Sequence, residues 1–510
     1  MYKERICRVS NEKLDAINSK VEQDGNSSLY QLESSSKHTV IVLKKPKETK
    51  VNTYIERKIC CAGNVNAGKS SILGVLVTGV LDDGNGKVRS VIMNHAHEIS
   101  TGRTSSIGRH ILGISSTNSI VNHAIYREKR KITWESIIAK HPTKIINLVD
   151  LCGHEKYLKT TVHAVSGDRP DYAMVIVAAN DGLLKMTYEH LSLLIQFHIP
   201  FFFVVTKLDI AQDKLKDTLE EINTFLKRCK GGGGRKMFSH IIRNSFDLAA
   251  VRGHSTGIGY LRTMIPIFCV SSVTGENIEL LSHFIGLCPR FKKTDKSPEI
   301  LDEKNTHAVI SEHFRVTGIG TVVLCEIKGG MLYKDQIIYL GPIDSSCNYI
   351  KTKIKGIHRR RYEVSQAETG QTVTCALQNV PHGIIRSGLI LCSKNIYETP
   401  EKRGCWEFET EVSIISSHTL TIYRGYQPIL NIGTVRQACK VMDLHITKSD
   451  GTHEKAEFLR NNDKGVIRFR FSFKPEHILI GTRMVAREGR LRVSGYISSI
   501  IPLAESERKK

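Results

Sequence analysis

Short, continuous apolar runs punctuate the first part of the chain, at residues 59–62, 145–149, 174–179, 201–205 and 265–270. Runs of that length without polar alternation mark strands covered on both faces. Helical patterns lie between several of them, at residues 70–76, 188–198, 212–227 and 277–287. The alternation predicts a parallel sheet covered by helices on both sides, spanning residues 55–300.

The period changes after that. Ile467, Phe469, Phe471 and Phe473 alternate with Arg468, Arg470 and Ser472, which puts the apolar groups on one face. Residues 321–328 followed by Gly329-Gly330 read as a strand and a turn. Turn signals recur and no long helix is visible. This half predicts two β-barrels or sandwiches of about 100 residues each, residues 301–400 and 401–510. Residues 1–54 are polar, with Ser-rich patches at 26–28 and 34–36 and one strand-like run at 39–43. They predict a partly ordered N-terminal extension. Gly231 to Gly234 reads as a flexible loop within the first domain.

Composition fits that plan. A chain of 510 residues is long enough for about three domains. Lys and Arg number 73 against 51 Asp and Glu, a net charge of +22. That excess suits a polyanionic partner, most often nucleic acid, or else simply a basic soluble surface. The 13 cysteines are scattered, with no CxxC spacing and one adjacent pair, Cys60 and Cys61. A zinc ribbon or a disulfide framework is not expected; reduced core thiols are. The first ten residues, MYKERICRVS, hold no apolar signal region, and no apolar run approaches a membrane span. A cytoplasmic protein with no membrane partner is expected.

Four loops carry candidate chemistry. Gly63-Asn64-Val65-Asn66-Ala67-Gly68-Lys69-Ser70 fits GxxxxGK[ST] between a predicted strand and a predicted helix. Its glycines let backbone N–H groups turn toward a phosphate chain, and the helix N-terminus adds positive potential. Lys69 is expected at the β and γ phosphates and the Ser70 hydroxyl on Mg²⁺, with Ser71 completing the nucleotide-binding loop. Asp150-Leu151-Cys152-Gly153 follows the strand at 145–149 and fits DxxG. Its Asp is expected to hold Mg²⁺ through water, and the Gly153 N–H to meet the γ-phosphate. Thr206-Lys207-Leu208-Asp209 follows the strand at 201–205. Asp209 would accept from the guanine N1 and N2 hydrogens, a pair adenine does not offer, and the Lys207 stem would pack on the base. Ser271-Ser272 would offer a backbone N–H to guanine O6. Each loop follows a strand end, where ligands bind in open α/β sheets. Together they point to GTP and GDP with Mg²⁺.

The chain resembles the translational GTPases of the elongation factor Tu and eukaryotic elongation factor 1A class, and within it the branch of GTP-binding proteins one and two. Residues 97–108, HEISTGRTSSIG, and 273–277, VTGEN, carry the resemblance to that branch. It covers residues 55–502. It implies an α/β P-loop GTPase domain followed by two all-β barrels. It also implies GTP hydrolysis that is slow without an activator, a ribosome or tRNA partner, and an exchange or activating factor.

Residue by residue, the first motif of the class reads GHVDxGKS. Asn64 and Asn66 stand where it has His and Asp, and Asn66 keeps an oxygen but not the charge that helps place a monovalent cation. Gly102-Arg103-Thr104 matches the switch-one Gly-x-Thr, which implies Thr104 on Mg²⁺ and the γ-phosphate. Arg103 replaces an apolar gate residue whose other half matches Val65. His154 follows DxxG as in the class and is implied to orient the attacking water. Cys152 replaces a common Pro, which predicts a less stiff loop. Thr206 replaces an Asn whose amide braces the phosphate loop, which predicts a lost brace. No arginine finger is visible.

In the second domain, residues 315–322, RVTGIGTV, match the class opening. Lys351, Lys353 and Lys355 share one strand face and run into His358-Arg359-Arg360-Arg361 with no acid between. They read as a phosphate-contacting surface or as a solvated barrel face. Residues 423–428, YRGYQP, with Arg436-Gln437 match the third domain, which in this class helps hold the tRNA arm. Arg483, Arg487, Arg490 and Arg492 form a further basic stretch. Two other functions compete with a ribosome-directed GTPase. One is a GTP-gated RNA-surveillance or other regulatory binding protein for which hydrolysis is incidental. The other is a metabolic GTPase subunit of the sulfate-activation kind, against which the basic balance counts.

Overall fold

The computed structural model describes residues 2–10, 28–34, 38–46, 54–93, 98, 107–229, 237–245, 247–248, 264–288, 305–359, 362–399, 404–414, 421–448, 450–460, 463–488 and 491–501. The chain forms two compact units, one of residues 1–165 and 169–293, the other of residues 166–168 and 294–510.

Within the first unit, strands β1 (Tyr2–Ser10), β2 (Ser28–Ser34) and β3 (His38–Pro46) form an antiparallel sheet in the order β1-β3-β2. Only the central strand was legible, as the apolar run at 39–43. Seven further strands make the main sheet: β4 (Ile55–Gly63), β5 (Gly108–Ile114), β6 (Lys144–Asp150), β7 (Tyr172–Ala178), β8 (Phe201–Thr206), β9 (Phe238–Ile242) and β10 (Met264–Cys269). Their order is β5-β6-β4-β7-β8-β10-β9. All pairs are parallel except β5 with β6, so the sheet is mixed and parallel-rich rather than wholly parallel. The exception has a physical cause. An antiparallel edge strand needs no right-handed crossover, and β5 returns to β6 through the short helices Val121–Arg127 and Trp134–Ile138.

Helices α1 (Lys69–Thr78), α2 (Leu158–Asp168), α3 (Lys185–Gln196), α4 (Leu215–Arg228) and α5 (Ile278–Leu287) cover the sheet. The strand residues divide by parity. Ile59, Ile146, Met174, Phe202 and Phe268 pack with α1 and α5. Cys60, Val149, Val175, Phe203 and Ile267 pack with α2, α3 and α4. Both parities are buried, so the strands read as unbroken apolar runs. The predicted helix at 212–227 is α4, which starts three residues later, and a separate short helix, Leu208–Ala211, precedes it. The Gly231 to Gly234 loop lies outside the described residues. So does most of the 230–264 insert, which contributes the edge strand β9.

In the second unit, strands Ile337–Gly341, Ile390–Cys392, His307–Val316, Gly320–Gly329, Thr372–Leu377 and Ile350–Arg359 pair antiparallel in that order, and the last closes on the first. Strands Ile429–Ile432, Arg483–Glu488, Leu491–Ile501, Glu407–Ile414, Lys464–Phe471 and Val435–Thr447 close the same way. Both are six-stranded barrels, not sandwiches. Polar side chains tie them together. Arg386 of the first pairs with buried Glu476 of the second, and Gln437 Nε2 donates to the same carboxylate at 2.9 Å. Burial pushes the Glu476 carboxyl above its usual range even with Arg386 beside it. His307 and His477, both buried, meet Nε2 to Nε2 at 3.1 Å.

Lys351, Lys353 and Lys355 do face outward along one strand. Lys353 pairs with Asp335 at 2.8 Å, so the face is less uniformly basic than its sequence suggests. Arg360, Arg361 and Arg490 lie outside the described residues. Twelve described cysteines are free, all but Cys229 buried, as expected of reduced core thiols. Among the described residues no helix is long and apolar enough to cross a membrane.

Candidate nucleotide-binding site

Parallel strands place their C-terminal ends on one edge, and the four predicted loops leave that edge from β4, β6, β8 and β10. The phosphate loop begins at Gly63, the last residue of β4, with φ of 145°. A Cβ there would lie 2.3 Å from the Ile176 carbonyl oxygen, so only glycine fits against β7. Asn66 and Gly68 also take left-handed conformations, at 62° and 86°. These turns bring residues 64–68 around the start of α1. Lys69, buried, donates to the carbonyls of Gly63 at 3.2 Å and Asn64 at 2.7 Å. Burial lowers its pKa from the ordinary lysine value, and the Asp150 carboxylate works against that shift.

The DxxG segment closes on this loop. Ser70 Oγ donates to Asp150 Oδ2 at 2.9 Å, across 80 residues of sequence. Hydroxyl and carboxylate oxygens side by side form the hard donor set that Mg²⁺ takes, so the residues fit that ion. A Cβ on Gly153 would come within 2.5 Å of Lys69 Nζ and 2.8 Å of Val65 N. The backbone of residue 153 thus lies against the phosphate loop. Cys152 is fully buried and its carbonyl accepts from Thr161 Oγ1 at 3.4 Å. Burial pushes the Cys152 thiol up to about 11. His154 is exposed and caps its own 3₁₀ turn, its Nδ1 accepting the Lys156 N–H at 3.1 Å. Arg103 and Thr104 lie outside the described residues; Glu98, from the same stretch, is buried.

The two loops expected at the base meet as well. Asp209 Oδ1 accepts from Ser271 Oγ at 2.7 Å. Ser271 in turn accepts from the N–H groups of Val273 and Thr274, at 3.2 and 3.1 Å, which fixes its rotamer. Ser272 accepts the Asp82 N–H at 2.8 Å through its carbonyl. Lys207 sits in the left-handed region at 63°, 3.9 Å from Asp181.

Two features were not foreseen. The expected loss of a brace at Thr206 does not occur: its hydroxyl donates to the Ala67 carbonyl at 2.8 Å, tying the β8 end to the phosphate loop as an amide would. Thr206→Val keeps the shape and removes the bond. It is expected to quicken GDP release about fivefold, since a lost buried hydrogen bond costs about 1 kcal/mol. Stopped-flow fluorescence of a labelled GDP reads this directly. The second feature is His190 on α3, whose Nδ1 accepts the Gly63 N–H at 3.0 Å. A histidine on the apolar face of a helix gives no sequence signal of such a contact.

Residues 55–296 match the family model of the elongation factor Tu GTP-binding domain. GTP-binding protein 2 of Homo sapiens is 30% identical over 479 residues, covering 94% of this chain and 74% of that protein. The chain belongs to the translational GTPases. Its relatives place this translational GTPase in the branch of GTP-binding proteins 1 and 2. GTP-binding protein 1 of Xenopus laevis is 34% identical over 451 residues, 88% of this chain. The chain spans 64% of that relative's length. The translational GTPase also shares its fold with elongation factor SelB of Methanococcus maripaludis, solved with a GTP analogue. That match has a TM-score of 0.57 and 20% identity, over 89% of this chain and 81% of that one.

Proposed function

We propose that the chain binds GTP, hydrolyses it to GDP and phosphate, and acts in the cytoplasm as a translation-factor-like GTPase on the ribosome or tRNA. One observation carries the nucleotide reading: four loops from one sheet edge meet in two pairs, Ser70 with Asp150 and Asp209 with Ser271. The G domain is proposed to span residues 55–300, after an extension of residues 1–54. The barrels follow at 301–400 and 401–510.

In this reading the N–H groups of residues 64–70 and the Lys69 amine cradle the β and γ phosphates. Ser70 and Asp150 would hold Mg²⁺, with Thr104 completing the set. The ion, when bound, neutralises charge between those phosphates. Gly153 offers its N–H to the γ-phosphate. Phosphoryl transfer to water needs positioned charge and a held water rather than a covalent intermediate. His154 is the group assigned to that water. It caps its own turn through Nδ1, which leaves Nε2 for the task once a partner reorients it. Slow turnover alone, and faster turnover with an activator, follow from that arrangement.

Multiple-turnover hydrolysis with and without purified ribosomes, beside His154→Ala, tests the proposal. Ribosomes are expected to raise the rate, and the substitution to cut the stimulated kcat about a hundredfold. No stimulation, with GTP binding intact, would leave a GTP-gated RNA-binding protein with incidental hydrolysis.

A further inference from the structure

We propose that His190 is a positioning residue for the phosphate loop, acting through the Gly63 peptide. This rests on the reading of the site as a GTP site. Gly63 is gripped at both ends of its polar backbone. Its N–H goes to His190 Nδ1 at 3.0 Å, and its carbonyl accepts from Lys69 Nζ at 3.2 Å. The two bonds place His190, the first residue of the loop and the phosphate-facing lysine in one chain of contacts. His190 comes from α3, 127 residues further along the sequence, so it pins the loop to a different element from the strand that leads into it.

The ring's protonation state is set by the same geometry. An Nδ1 that accepts a backbone N–H carries no proton, so a neutral ring has its hydrogen on Nε2. Burial, with the Lys69 cation nearby, lowers the His190 pKa to about 3. The acceptor therefore stays available across the physiological pH range. Nε2 is buried and meets no acceptor among the described residues. Among the described residues, only Nδ1 of the ring has a partner, and that partner is the first residue of the phosphate loop.

The alternative acceptors make a geometric test. Asn places its amide oxygen near the Nδ1 position, and Gln carries it one bond further, toward Nε2. Both are polar and of moderate size, so stability alone does not distinguish them in the way that Gly63 does. His190→Asn is expected to release labelled GDP within about threefold of the parent rate. His190→Gln and His190→Phe are expected to release it about tenfold faster, the scale set by one orphaned buried N–H. Melting temperatures of the nucleotide-free proteins are measured alongside. Equal release rates for Asn and Gln, or a lowered melting temperature with unchanged release, would overturn the proposal. Failure of the parent protein to bind labelled GDP would instead strike the GTP-site reading itself. If the Phe variant does not fold, the Asn and Gln pair decides alone.

Discussion

Lys69→Ala is expected to weaken GTP binding on the order of a thousandfold. The ammonium group is buried and bonded to two carbonyls of the phosphate loop, so it is fixed before any ligand arrives. A charge-assisted bond to phosphate contributes about 2 kcal/mol, so two such bonds account for roughly 4 kcal/mol, which is about a thousandfold. The alanine variant also leaves the Gly63 and Asn64 carbonyls without their donor, so the loop itself loosens. Equilibrium titration with labelled GTP and GDP would show both effects. GTP should suffer more than GDP, because the proposed function puts the lysine at the γ-phosphate. An unaltered GTP affinity would exclude the phosphate-loop assignment.

Asp209→Asn should reverse base selectivity from GTP toward XTP, with a change in the affinity ratio on the order of a thousandfold. A site built to pair hydrogen bonds with a base edge rejects the mismatched edge steeply, because buried polar groups are left unpaired. Guanine presents two donors to the carboxylate. Xanthine keeps one of them and replaces the exocyclic amine with a carbonyl, which an amide can serve. The Ser271 hydroxyl settles which way the new amide turns. It donates to Oδ1, and it can keep doing so only if the asparagine oxygen stays on that side. The amide nitrogen then takes the other carboxylate oxygen's place. Competition of GTP and XTP for a common label measures the ratio; an unchanged preference would contradict the guanine assignment.

The strands that carry this site were legible because each is buried on both faces. Residues such as 201–205 have no polar member to hide them, and both parities pack, Phe202 on one side and Phe203 on the other. β5 was not legible for the converse reason. Its sequence, GRHILGI, sets an exposed Arg109, a half-buried His110 and two glycines among three apolar residues, which breaks any continuous apolar run. Among the described residues, the motif loops leave the ends of β4, β6, β8 and β10, where spacing and strand context together had put them. Ser70, Asp150, Asp209 and Ser271 were named from sequence, yet their pairing across 80 and 62 residues was not. Thr206 shows the limit of comparing residue types. Its side chain is shorter than asparagine, but the hydroxyl still reaches Ala67, because the backbone of β8 brings it there. His190 shows another. A contact made to a backbone N–H leaves no partner residue type for a motif to record.

The join between the two barrels sets how the chain can be handled at the bench and altered by recombination. Glu476 is a buried acid that Arg386 and Gln437 make tolerable, and the two imidazoles of His307 and His477 share a single hydrogen-bonding edge. A fragment that ends after the first barrel strips Arg386 of its carboxylate, and a fragment that begins after it buries nothing over Glu476. Neither barrel is an interchangeable part. A transplant into another GTPase would have to carry both, with the polar seam between them intact.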